Sequence, residues 1–258
     1  MSFFTPEPML YHANETGFEL LGAAHLLSLC LSAAIVVGSL LYYLRLPSDT
    51  AKRPSNQRRA MLLALSGGAN LLVLLKCVTY LALDVFEPLF WPLHICNLCE
   101  FAALGYAISP RSTVGHFLAG LLFCWGLTGC LGALILPGWR WYCPAWSFAS
   151  LSGFIEHALV LACGLCVLIG GDYVPKPRRF LPVLLVTAFL GALFCVVNPL
   201  LGTNFFFVTN PVAVGGPFPW LVTTFGDPGF LLPYLTLAAG SWLLVYSIYH
   251  LVRSPHLG

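Results

Sequence analysis

The chain has 258 residues, 59% of them hydrophobic and only 9% charged, with a mean hydropathy of +0.85. A soluble domain carries about 25% charged residues, so a water-solvated fold is excluded and lipid is the expected solvent. The formal net charge of +2 comes from basic residues scattered through short loops, which excludes a nucleic-acid footprint.

Crossing the hydrocarbon of a bilayer takes roughly 20 mainly apolar residues. Seven segments meet that length, near 20–44, 61–83, 89–108, 116–136, 146–170, 181–201 and 230–252. The expected fold is an all-α membrane protein, a seven-transmembrane-helix bundle forming a single domain over 1–258. Ahead of the first segment, Met1 to Thr16 lacks the basic n-region and apolar core of a cleaved signal peptide. The loop after segment one holds Arg45, Lys52, Arg53, Arg58 and Arg59. Arg111 follows segment three; Lys176, Arg178 and Arg179 follow segment five; Arg253 follows segment seven. The opposite side has Arg140 with Glu7, Glu15 and Glu19. By the positive-inside rule the N-terminus is outside and the C-terminus cytoplasmic, as expected of a multi-pass protein of the plasma membrane.

Two loops on the outer side stand out. Gly138 to Trp146 is dense in aromatic residues, as an interfacial belt is. The stretch Gly202 to Gly229 is long, nearly uncharged and rich in Phe, Pro and Gly. A disordered loop is more polar, so this one is expected to fold back over the helix ends. Of the 10 cysteines only Cys143 lies in a loop. No disulfide framework is implied, and most, Cys99 included, are expected to pack as small apolar residues.

Ionisable residues inside a bilayer are costly and mark functional sites by default. Segment three carries Trp91–Pro92–Leu93–His94–Ile95–Cys96–Asn97–Leu98–Cys99–Glu100, segment two carries Lys76, and segment five carries Glu156–His157. At a rise of about 1.5 Å per residue, these residues fall in the outer half or middle of the membrane. The inner half has almost nothing ionisable. His25 is expected to be a shallow interfacial residue, and Asn70, beside Gly67–Gly68, to bond across a close helix contact. Lys76 and Glu100 are suited either to a structural salt bridge or to a site. His94 and Cys96, two apart on a helix, are expected on opposite sides. Glu156 and His157 point about 100° apart, so only one is expected to face a cavity squarely. The functional reading has Cys96 as a nucleophile activated by a histidine, His94 and His157 as acid–base or oxyanion-stabilising groups, and Glu100 as an orienting carboxylate. His94, Cys96, Cys99, Glu100 and His157 include zinc-ligand types. The lone Cys-x-x-Cys has no partner pair at zinc-ribbon spacing, so no metal and no other cofactor is expected.

Four stretches carry a family resemblance: Trp91 to Asn97; Trp125–Gly126–Leu127–Thr128–Gly129 through Pro137; Phe154–Ile155–Glu156–His157; and Asn198 to Phe205 with Gly216–Pro217–Phe218–Pro219–Trp220. In this order they resemble the YwaF-like family of integral membrane proteins, whose animal branch is similar to acyltransferases that remodel ether phospholipids. The resemblance implies two intramembrane histidines, falling on His94 and His157. The cysteine of the animal pattern directly precedes the first histidine, where this chain has Leu93, and Cys96 lies about one turn further on. Asn204, Trp125, Lys76 and Glu156 are the further residues expected to bind substrate.

Three functions fit these residues: an enzyme acting on a lipid acyl group, a non-catalytic binder or carrier of a small amphiphile, and a proton-coupled transporter relaying through Glu100, Glu156 and the histidines. The expected partner is a membrane lipid or small amphiphile. A transporter also needs polar residues in the inner half, so it ranks last.

Overall fold

A computed structural model describes residues 2–13, 16–48, 54–210 and 218–253. Glu15, Lys52, Arg53 and the Gly216–Pro217 pair lie outside them. No strand forms among the described residues. The α-helices are α1 (Glu7–His12), α2 (Ala23–Arg45), α3 (Asn56–Ala82), α4 (Ile95–Ile108), α5 (Thr113–Leu121), α6 (Leu131–Ile135), α7 (Phe148–Ile169), α8 (Phe180–Leu201), α9 (Phe218–Phe225) and α10 (Leu231–Arg253). Helices α5 and α6 are joined without a break by a π-helical stretch, Leu122–Cys130.

Among the described residues, six helical stretches are long and apolar enough to cross a membrane: Ala23–Arg45, Asn56–Ala82, Thr113–Trp141, Phe148–Ile169, Pro177–Leu201 and Leu231–Val252. The segment expected to span 89–108 departs from this pattern. Its helix starts only at Ile95 and has 14 residues, about 21 Å at the usual rise and short of a hydrocarbon core of about 30 Å. The cause is local. Pro88–Phe90 forms a 3₁₀ turn, and Trp91 (φ −63°, ψ 141°) is extended, as residues before proline prefer. His94 is extended too (φ −65°, ψ 154°) and acts as the N-cap residue of α4.

Serines punctuate the helix starts. Ser55, Ser112 and Ser147 accept hydrogen bonds from the backbone N–H of Arg58, Gly115 and Ser150, satisfying donors that a helix N-terminus leaves free. Helix α7 forms the centre of the bundle. Ala158, Ala162, Cys163 and Cys166 on it are almost fully buried, and small side chains of this kind let helix backbones approach closely. It packs against α2, α3 and the π-helical stretch. Helices α8 and α10 lie at the periphery and expose Leu185, Phe189, Val196, Leu243 and Leu244, as lipid-facing helices do. The expected Asn70 contact is present: its Nδ2 donates to Ser66 O (2.8 Å) and to Glu100 O (3.0 Å), tying α3 to α4.

His25 departs from its expected interfacial place. It is 0% exposed. Its Nδ1 accepts from Leu21 N (3.0 Å), so its Nε2 carries the proton and donates to Leu134 O (2.9 Å). Both nitrogens are engaged within the protein, and the ring joins the start of α2 to the end of α6.

At the opposite end Arg58, which the sequence offered as a loop charge, is 4% exposed. Its Nη1 donates to Gly170 O (3.0 Å) and Asp172 Oδ2 (3.2 Å), and its Nε to Leu46 O (3.3 Å). Tyr43 donates its hydroxyl to the same Asp172 oxygen at 2.6 Å, and its ring lies 4.8 Å from the guanidinium. Removing one partner of a buried pair leaves the other charge uncompensated. Asp172→Ala is therefore expected to destabilise the fold by about 3–5 kcal/mol, which thermal unfolding in detergent measures.

Candidate functional site

Three helices bring one face each to a shared hollow. Along α3 the lining residues are Val73, Lys76, Cys77 and Tyr80, and along α7 they are Ala149, Gly153, Glu156 and His157. These are the i, i+3, i+4, i+7 and i+8 spacings of a helical stripe. Thr128, Gly129, Gly132, Ala133 and Leu136 supply the third wall. A β-carbon placed on Gly129 or Gly132 would meet nothing within 4 Å, so these glycines leave open volume. The cavity amounts to about 770 Å³.

The fourth wall is the irregular chain before α4. Trp91, Pro92, His94, Ile95, Cys96 and Asn97 all line the cavity. His94 and Cys96 were expected on opposite helix sides; they share a wall because His94 precedes the helix and only Cys96 is helical. The N–H groups of Ile95, Cys96 and Asn97 are in the first turn and have no acceptor within the helix, and the His94 side chain makes no capping bond to them. Glu156 and His157 were expected to compete for a cavity, yet both line it. The stripe on α7 is about 100° wide, with one at each margin.

Lys76 Nζ donates to Glu156 Oε2 at 2.7 Å, with the two side chains 15% and 3% exposed. The pairing of Lys76 with Glu100 that the sequence allowed does not form. Glu100 is 1% exposed and lies behind the wall rather than on it, where Asn97 Nδ2 donates to its Oε2 at 3.4 Å. It touches neither histidine by a hydrogen bond among the described residues. His157 Nδ1 lies 2.7 Å from Gly153 O. A carbonyl only accepts, so Nδ1 carries the proton and Nε2 holds the lone pair of the neutral ring. Trp139 lies against that ring, centroids 5.3 Å apart at 33°. The His94 ring is flanked by Phe205 (5.3 Å) and Phe207 (5.1 Å).

Six buried side-chain polar atoms among the described residues have no hydrogen-bond partner in the protein. Four of them, His94 Nδ1, Trp139 Nε1, Glu156 Oε1 and His157 Nε2, belong to residues of this one cavity wall. Cys96 makes no hydrogen bond to either histidine. Asn204 also lines the cavity, but its amide is engaged by its own loop: Nδ2 donates to Asn210 O (2.7 Å) and Oδ1 accepts from Asn210 N (2.9 Å). Trp125 stands apart, 3% exposed, donating to Thr187 Oγ1 at 2.9 Å. No group of three or more His, Cys, Asp or Glu is placed to hold a metal ion among the described residues.

The part played by the N-terminal segment was not expected from the sequence. Glu7 and Tyr11 of α1 line the cavity. Glu7 accepts from Tyr142 Oη (2.8 Å) and from Tyr80 Oη (3.4 Å). Leu10 is buried in a cluster with Cys143 and Ala149. Burial, then the adjacent Glu7 carboxylate, pushes the Tyr142 phenol well above its ordinary range, so it remains a donor. Tyr11 packs edge-on against Tyr142 and Phe90.

With this geometry in hand, a family model supplies the affiliation: the TMEM164 family matches residues 20–246. The chain belongs to that family. It is a multi-pass membrane protein, and every lining residue except Glu7 and Tyr11 lies within the part matched to the TMEM164 family. No curated protein and no solved structure matches the chain.

Two outcomes test the cavity. Gly132→Leu fills part of it from a position with free space, so thermal unfolding in detergent should be unchanged while maleimide labelling of Cys96 in the cavity slows by about tenfold, 1.4 kcal/mol. Glu7→Ala removes two bonds to a charged acceptor, each worth about 1.5 kcal/mol or more. Maleimide labelling of Cys96, read by mass spectrometry, should rise about tenfold while labelling of the exposed Cys30 stays unchanged.

Proposed function

We propose that this membrane protein takes the polar end of an amphiphile into the cavity and transfers or hydrolyses an acyl group there. The observation that carries the reading is the gathering of His94, Cys96, His157 and the Lys76–Glu156 pair around one volume, with four polar atoms of its wall left without protein partners. Buried polar groups are otherwise almost always satisfied, so a polar ligand is their natural partner. The likeness of the motifs to the YwaF-like family and its acyl-transferring animal branch supports the same chemistry. By the one-sided run of loop arginines and lysines, the cavity opens toward the outer leaflet of the plasma membrane.

The chemistry proceeds in two balanced halves. His157 Nε2 takes the thiol proton of Cys96, and the thiolate attacks the ester carbonyl carbon. The developing oxyanion is met by the first-turn N–H groups of α4, a position suited to negative charge. The ester C–O bond breaks, the leaving alcohol takes the proton from His157, and the acyl group remains as a thioester on Cys96. A second alcohol or water then gives its proton to His157 and attacks the thioester, returning the thiol. Lys76, held by Glu156, and the indole N–H of Trp139 supply donors for a headgroup oxygen.

The second reading, a non-catalytic binder, is favoured by the absence of a hydrogen bond between Cys96 and either histidine. Purified protein in liposomes with an isotope-labelled phospholipid and a lysolipid acceptor decides between them. Catalysis requires that Cys96→Ser abolish acyl exchange and that His157→Ala lower it by about 10²–10⁴, with a thioester adduct on Cys96 seen by mass spectrometry. Bound lipid with no exchange in the unaltered protein would leave the binder alone.

A further inference from the structure

A histidine that acts in a reaction must be held in one orientation, and a hydrogen bond to a carboxylate or carbonyl is the usual means. His157 has such a bond, to Gly153 O. His94 has none: its imidazole makes no hydrogen bond among the described residues, and Nδ1 is buried without a partner. What touches the ring is aromatic. Phe205 meets it at 69° and Phe207 at 34°, with centroids 5.3 and 5.1 Å away.

The turn that carries these two rings is held in an unusual conformation. Phe206 and Phe207 are consecutive and both left-handed, with φ of 59° and 55°, a region that costs an L side chain energy and persists only where the surroundings over-determine it. Here they do. Asn198, 0% exposed and at the end of α8, donates from Nδ2 to Phe205 O and Thr209 Oγ1, and accepts at Oδ1 from Phe205 N and Thr203 Oγ1. Tyr234 on α10 donates its hydroxyl to Phe206 O at 3.0 Å. Phe206 itself packs on Phe194, 5.1 Å away. The strained turn is thereby fixed to two helices, and its two flanking rings close on the imidazole.

We infer that the Phe205–Phe207 turn is the positioning device for His94, with Phe207 as its positioning residue, in the place that Glu100 would occupy in a hydrogen-bonded arrangement. Held by rings rather than by an acceptor, His94 keeps both nitrogens free for a ligand, whereas His157 keeps only Nε2. The two imidazoles are thus built for different tasks. His157 has a fixed tautomer and a fixed lone pair. His94 is fixed in orientation and free in tautomer, so it can receive a proton at one nitrogen while giving one at the other. Its catalytic consequence rests on the acyl-transfer reading; the positioning itself does not.

The full chain in detergent micelles, treated with diethyl pyrocarbonate and mapped by mass spectrometry, tests the positioning without any turnover. Phe207→Leu should speed modification of His94 by about three- to tenfold, the range that ring contacts of this geometry are worth, with His12 as the exposed reference. Phe207→Tyr, which restores a ring, should return the rate to that of the parent, and Glu100→Gln should leave it unchanged. Should Phe207→Leu fail to fold, Tyr234→Phe loosens the same turn and must speed modification in the same sense. Parent-like modification in both, or acceleration by Glu100→Gln equal to that by Phe207→Leu, overturns the inference. Where acyl exchange is measurable, adding Phe207→Leu to His94→Ala should cost nothing further, since a purely structural loss would add. Altered labelling with no exchange in the parent would retain the positioning and discard the catalytic reading alone.

Discussion

The late start of α4 is the constraint from which the rest of the site follows. A helix running from Leu89, as its apolar sequence invites, would turn His94 and Cys96 about 160° apart. Trp91 and Pro92 prevent it, since proline disfavours helical φ/ψ in the residue before it. Trp91 and His94 are extended instead, and Leu93 N donates to Trp91 O (2.7 Å) in a tight turn about Pro92. Irregular backbone at membrane depth is tolerated only where it is buried in protein or lines a cavity, and here it does the latter. The same break turns a helix N-terminus, with its free N–H groups, toward the hollow. It also puts His94 and Cys96 on one wall, which continuous helical geometry forbids.

Comparison among the buried histidines separates scaffold from site. His25 has both nitrogens bonded, to Leu21 N and Leu134 O, and needs nothing more. His157 has one bonded, and His94 neither. Leaving a buried polar atom unpaired costs about 1–3 kcal/mol, so leaving several around one cavity is a substantial charge on stability unless a ligand takes them up. The Lys76–Glu156 pair adds to it: desolvating two ions costs several kcal/mol each before their attraction returns any, and Glu156 Oε1 still lacks a partner. At the opposite end, the Arg58 knot is closed, with Tyr43, Asp172 and two carbonyls around one guanidinium. The scaffold polar groups of His25 and Arg58 are satisfied, while four of the six unpartnered buried atoms among the described residues belong to residues around the enclosed space.

Much of this was legible in the chain. Hydropathy located all six long helices to within a few residues, because a bilayer demands about 20 apolar residues at a time and little else competes with that signal. Rise per residue converts sequence position into depth, so the polar residues of segments two, three and five were expected near one level; Lys76, His94, Cys96, Glu156 and His157 line one cavity. What failed did so at backbone breaks and in pairings. Pro92 was visible, yet its effect on three following residues was not, so the phases of His94 and Cys96 came out wrong. Lys76 chose Glu156 over Glu100 because the choice depends on how α3 and α7 are rotated about their axes, which a single sequence does not encode. Trp125, expected to bind substrate, instead donates to Thr187 from within the π-helical stretch, whose register differs from that of an α-helix. The small residues Gly129 and Gly132 were the available sign of a hollow: where bulky side chains are missing from facing helices, either backbones touch or space remains.

The N-terminal helix shows why a cavity need not be defined by the helices that cross the membrane. Helix α1 has six residues, far below the length at which a helix is stable alone. Its order therefore comes from its contacts: Glu7 with Tyr80 and Tyr142, Leu10 in its small cluster, and Tyr11 against Phe90 and Tyr142. Each of these partners is itself at the mouth, on the loop before α7 or around the end of α3. The other walls are held by whole helix faces and by the Lys76–Glu156 ion pair, whose separation would strand a charge in a low-dielectric interior. Of the sides of the cavity, the one covered by α1 is therefore held by the fewest contacts of its own helix. It is also the side that lies outside the residues matched to the family, whereas the histidines, the ion pair and the glycines lie within them.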